Sequence, residues 1–139
     1  MSQLYQLSFR TRIRYEEPEP GIPLRVVLNA GSESVDCLAR IDTGAAACLF
    51  QREVGESLGL AVEAGLPKQF STLAGPLPAF GHEVTMQAAG LTYQATVFFA
   101  EAYDLPRNLL GKFGWLQQVR LGIVDYDEEV YLSAYDDPS

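Results

Sequence analysis

Apolar residues in this chain recur with a period of two, and that alternation limits the possible folds more than any other feature. Tyr5, Leu7, Phe9, Ile13 and Tyr15 fall on one side of an extended segment, with Gln6, Ser8, Arg10, Arg12 and Arg14 on the other. Val35, Cys37, Ala39 and Ile41 repeat the pattern. Successive strand side chains point to opposite faces, so these runs read as half-buried strands; a helix face would need a period near 3.6. Further strands are predicted at 24–29, 69–73, 80–88, 91–100, 119–124 and 130–132, separated by turns rich in Gly, Pro and Asp. The run Glu16-Glu17-Pro18-Glu19-Pro20-Gly21 ends the first strand, because proline lacks the ladder donor. Helix is confined to two short candidates, 52–60 and 112–118. The expectation is a single all-β domain over 1–139, with 1–15 as an N-terminal strand and 134–139 as a frayed tail. A closed or partly closed barrel follows from pattern alone.

A chain of 139 residues is one domain's worth and buries roughly two-thirds of its unfolded surface. Ten basic residues against 18 acidic ones give a formal charge of −8, which opposes binding to a phosphate backbone. No apolar run approaches the ~20 residues of a membrane span, and residues 1–15 alternate where a secretory leader would be charged, then apolar. Cys37 and Cys48 are too few for a disulfide framework and lack metal-ligand spacing. A soluble cytoplasmic domain with reduced thiols is expected, without metal or organic cofactor, nucleic acid or membrane partner.

The segment that carries chemistry is Ile41-Asp42-Thr43-Gly44-Ala45. A carboxylate at the end of an apolar strand is costly to bury unless something hydrogen-bonds it. Thr43 can offer a hydroxyl, and Gly44 allows a sharp bend that presents its amide. Composition alone puts such a tripeptide in roughly 3% of chains this long, so by itself it leaves an Asx-turn and a catalytic group equally open.

With Asn108-Leu109-Leu110-Gly111 and then Gly114-Trp115-Leu116 about 65 residues later, the chain resembles the retropepsin-like aspartic proteases, in particular their single-domain, retroviral-type members. The likeness spans roughly residues 20–133. It implies a partly closed barrel with one or two short helices, active as a homodimer on extended peptide or protein substrates. Peptide hydrolysis in that family needs two carboxylates sharing one proton and a water, and this chain has a single Asp-Thr-Gly. The resemblance therefore implies that Asp42 meets its twin across a two-fold axis. Thr43 would lock the two loops together, Gly44 would hold the carboxylate by its amide, and Ala45 would complete the turn. The flap over substrate would be Leu73, Ala74, Gly75, Pro76 and Leu77, covering a peptide bound as an added strand.

Where viral relatives carry acidic residues after Asp-Thr-Gly-Ala, and an arginine after the second motif, this chain has Ala46, Ala47 and Lys112. Its flap carries prolines in place of a glycine run. A dimer that binds peptides or assembles without hydrolysis is the alternative function; an unrelated barrel with Asp42 in a plain turn is a third. His82, Cys48 and Trp115 read as structural. The arginine face of residues 10–14 and the acidic C-terminal region suggest terminal strands that aid dimerisation, against a simple solvated face.

Overall fold

The computed structural model describes residues 2–16 and 20–139. Its strands are β1 (Thr11–Arg14), β2 (Pro23–Ala30), β3 (Glu33–Ile41), β4 (Leu49–Phe50), β5 (Leu66–Thr72), β6 (Gly75–Ala88), β7 (Leu91–Ala100), β8 (Asn108–Leu110), β9 (Val119–Val124) and β10 (Glu129–Ala134). One short helix, α1 (Arg52–Ser57), follows β4. Part of the predicted 16–21 turn lies outside the described residues.

Six strands pair in the order β2-β3-β8-β4-β7-β6, and β6 returns to β2, so the barrel closes. Closure leaves few unpaired edges. Alternation places Leu24, Val26 and Leu28 of β2 inside. They meet Phe50, Met86, Val97, Phe99, Leu110 and Trp115 in the main core. Each such side chain, fully buried, contributes roughly 1.5–3 kcal/mol. A smaller apolar cluster of Ala47, Leu49, Ala79 and Phe98 sits at the foot of the β5–β6 hairpin, with Phe70, Leu77, Leu105 and Leu109 against it. Phe70 and Phe98 meet edge to face at 5.2 Å.

Four predictions need correction. The regular strand at the N-terminus is only β1, Thr11–Arg14; the ladder with β10 ends at Thr11, where the Arg10 amide turns to the Ser133 hydroxyl instead of a backbone carbonyl. Leu4, Tyr5 and Leu7 are exposed, so the alternation of 2–8 has no surface to face, and only Phe9 packs, on Tyr131. The predicted helix at 112–118 reduces to a single 3-10 turn, Leu116–Gln118. The Lys112 and Phe113 amides donate to Ala45 and Ala46 carbonyls, and Gly114 sits at φ +100°, so no helical ladder starts there. The tail is also tied down: Arg10 bonds the Asp137 carboxylate, and Arg120 bonds the Asp137 carbonyl. Arg12 pairs with Glu129, so the charge complementarity between the termini is satisfied within one chain.

β6 runs through Pro76 and Pro78, where the sequence suggested a break. The Pro78 carbonyl accepts from Glu101, on the β7 side of the strand. A strand residue's amide and carbonyl point the same way, so both proline nitrogens face the side where the β7 ladder, starting at Ala79, has not begun. Their missing donors cost the β5 pairing nothing.

Candidate active site

β3 delivers Asp42 to the surface through alternation. Ala39 is buried and Ile41 packs on the core, while Leu38, Arg40 and Asp42 project to the opposite face. The strand stops because the next two residues turn. The Ala45 amide donates to the Asp42 carbonyl at 3.1 Å, closing the turn. The Gly44 amide donates to Asp42 Oδ1 at 3.0 Å. Asp42 is thus half-buried with one carboxylate oxygen held, and Thr43 and Gly44 are exposed. Thr43 makes no hydrogen bond among the described residues. Ala45 is half-buried and gives its carbonyl to the Lys112 amide at 2.8 Å.

That last bond belongs to a crossing of two segments distant in sequence. β8 lies parallel to β3, with Ile41 opposite Leu110, and the Asp42 amide donates to the Leu110 carbonyl at 2.9 Å. Ala47 and Phe113 continue the contact as an isolated bridge. Gly111 sits where the segments touch: a Cβ there would stand 2.2 Å from the Ala47 carbonyl oxygen, which no other residue could fit. Asn108 pins the upstream end. Its Oδ1 accepts from the Gln51 amide at 2.8 Å, and its Nδ2 donates to the Leu38 carbonyl at 2.9 Å. The sequence motif was read through its leucines and Gly111; the buried Asn108 amide was missed, although a polar residue opening an apolar strand is the signal for it.

The predicted flap residues form the tip of the β5–β6 hairpin. Thr72 pairs with Gly75, leaving Leu73 and Ala74 as the turn. Thr72 Oγ1 accepts from the Ala74 amide at 3.2 Å and donates to the Gly75 carbonyl at 2.7 Å. Gly75 supplies the φ of +114° the turn demands. Leu73 is wholly exposed. Beneath this tip lies a cleft of about 480 Å³ lined by Leu73, Pro76, Leu77, Ala100, Leu105 and Pro106, among others. A second cleft, of about 700 Å³, opens beside β3. Asp42 lines neither.

Other candidates resolve as structural. His82 Nε2 bonds the Val62 carbonyl at 2.8 Å, and its ring meets Phe99. Burial pushes the Cys48 thiol up to about 11, and Cys37 to the same value, which disfavours the thiolate at both. Trp115 is core. Among the described residues no cluster of His, Cys, Asp and Glu could hold a metal, and no helix is long and apolar enough to cross a membrane.

No family model matches the chain, and no curated protein matches it by sequence. Solved structures do. A retropepsin-like aspartic protease from Rickettsia conorii superposes with a TM-score of 0.68 at 16% identity, covering 88% of this chain and 98% of its own. The EIAV protease, solved with an inhibitor, superposes with a TM-score of 0.53 at 20% identity, covering 70% of this chain and 86% of its own. The closed barrel, the Asp42 turn crossed by β8 and the projecting hairpin together make this a retropepsin-like fold.

Proposed function

We propose that the chain is an aspartic endopeptidase whose active site forms when two copies bring their Asp42 carboxylates together. The observation that carries this reading is the Asp42 turn in this fold: one oxygen is held by the Gly44 amide, and the side chain is accessible. Two further features support it. Asp42 lies outside both clefts of the single chain, as half of a site would. The Thr43 hydroxyl is exposed and has no hydrogen-bond partner among the described residues, leaving it available to a second copy.

At such an interface two like charges cannot both persist, so the pair keeps one proton. The ionised carboxylate takes a proton from the trapped water as its oxygen attacks the peptide carbonyl carbon. The protonated one gives its proton to the carbonyl oxygen. Collapse of the tetrahedral species breaks the C–N bond, and the amine leaves with a proton. The β5–β6 hairpin would close over the substrate, which lies extended with alternate side chains in the flanking clefts.

The test is Asp42→Asn, assayed with a peptide library and by sedimentation. The expected result is loss of cleavage by about 10³-fold or more, with circular dichroism and dimer constant unchanged. Full activity in the variant, or in a strictly monomeric species, refutes the reading. A wild type that dimerises and binds peptides without cutting them establishes the non-hydrolytic alternative.

A further inference from the structure

The cleft beside β3 is built from a part of the surface that the Asp42 chemistry does not use. Its walls are Ile13 and Arg14 of β1, Tyr15 and Glu16 after it, Leu38 and Arg40 of β3, and Pro106 and Arg107 before β8, among others. Among the described residues, Arg14, Arg40 and Arg107 line it with one carboxylate, Glu16, in a chain whose net charge is −8; Arg40 is already engaged, so the charge left to a ligand is that of Arg14 and Arg107. The other arginines differ from two of these. Arg10 bonds Asp137, Arg12 pairs with Glu129, Arg25 with Asp36, Arg52 with Glu56 and Glu63, and Arg120 bonds backbone carbonyls. Arg14 and Arg107 are exposed and make no ion pair or side-chain hydrogen bond among the described residues.

Arg40 ties this cleft to the candidate site. It stands two residues before Asp42 on the same strand, and residues two apart share a face about 6.6 Å from each other. Gly21 opposite has no side chain, and a Cβ there would come within 2.8 Å of Arg40 Cδ, so the arginine stem fills that space. A peptide lying extended across Asp42 has the same two-residue repeat. A side chain beside the scissile bond can therefore reach along the face that carries Arg40.

We propose that this cleft receives acidic side chains, making the substrates of the chain extended segments with Asp or Glu within about two residues of the scissile bond. This rests on the reading of Asp42 as the catalytic carboxylate. Guanidinium groups take carboxylates in two-pronged hydrogen bonds, and a peptide is the occupant whose strand geometry fits the face. The local positive charge also draws acidic segments to a protein that otherwise repels them.

The experiment compares a fluorescent peptide carrying Glu near its centre with its Gln counterpart. Cleavage is followed with the wild type and with an Arg14→Glu/Arg107→Glu double variant; binding to Asp42→Asn protein is followed by anisotropy. The expected result is a roughly tenfold higher kcat/KM for the Glu peptide, lost in the double variant and reduced at high salt. Equal cleavage of both peptides by the wild type overturns the proposal and leaves proteolysis standing. Absence of cleavage, with salt-sensitive preferential binding of the Glu peptide, removes the proteolytic reading but keeps the acidic-peptide cleft. Loss of neither binding nor preference on charge reversal overturns the proposal. So does a double variant whose only change is in the dimer constant, which would make the cleft a contact between copies.

Discussion

Replacing Gly111 by alanine tests whether the crossing of β8 over the Asp42 loop holds the site together. The new Cβ would stand 2.2 Å from the Ala47 carbonyl oxygen, 2.7 Å from its carbon and 2.8 Å from the Ala45 oxygen. Carbon–oxygen contacts settle at roughly 3.3 Å or more, so the two backbones must part by about 1 Å. No flexible side chain is available to absorb that shift. The Lys112 and Phe113 amides, now 2.8 and 2.9 Å from the Ala45 and Ala46 carbonyls, would lose their bonds. Two bonds at ~1 kcal/mol each, with an overpacking cost of ~1–3 kcal/mol, give roughly 3–5 kcal/mol. That is a large share of the ~5–15 kcal/mol stability of a typical domain. In urea, with a slope near ~2 kcal/mol/M, the midpoint should fall by roughly 1.5–2.5 M. Gly31→Ala is the comparator: nothing lies within 4 Å of its Cβ position, and only its left-handed φ of +58° adds a cost. That variant should lose about 1–2 kcal/mol. A midpoint shift below ~0.5 M for Gly111→Ala would refute the steric reasoning.

Three other outcomes are expected. Asn108→Ala strands the Gln51 amide and the Leu38 carbonyl, costing about 2–4 kcal/mol, and should lower the melting temperature by roughly 6–12 °C. Ala89 holds φ +52° before Gly90 in the two-residue turn between β6 and β7, so Ala89→Asn should stabilise by roughly 0.5–1 kcal/mol in a chemical melt. The Arg10 guanidinium beside Asp137 holds its carboxyl down to about 2. A carboxyl lowered in the folded state contributes above its ordinary value of 3.8 and stops contributing as the pH falls through about 2. The protection of the Asp137 and Ser139 amides, measured against an unstructured peptide at the same pH, should therefore be present at pH 5 and lost towards pH 2, while the barrel amides keep theirs.

How much of this was legible in the sequence depends on whether the deciding contacts are local. β7 and β9 match their predicted limits, since alternation and β-branched or aromatic residues act within the strand itself. Asp42, Thr43 and Gly44 were readable as a turn that holds a carboxylate, because that rests on chemistry a few residues wide; Leu73 to Leu77 came as a flap only from the family resemblance, since the residues themselves suggested a break over 74–79. What stayed hidden is long-range. Nothing within residues 2–9 says that the ladder with β10 ends at Thr11. The Lys112 and Phe113 amides have helical neighbours in sequence, yet their acceptors lie at Ala45 and Ala46. The pairing of β2 with β6 and the parallel placement of β8 leave no local trace. Arg40 is the instructive case: period two puts it on the Asp42 face, but Arg14 and Arg107 join it only through the fold.

β6 is a single strand of 14 residues with two mechanical settings. From Pro78 onward it is clamped on the β7 side, and near its end by β2 as well; before Pro78 β5 is the strand that pairs with it. The hairpin is therefore a cantilever rooted in the barrel wall. Its stiffness at the root comes from the barrel's own cohesion, and two proline rings brace the arm at the support. Bending of this arm would leave the barrel intact, so the hairpin can be displaced without disturbing the pairings that close the fold.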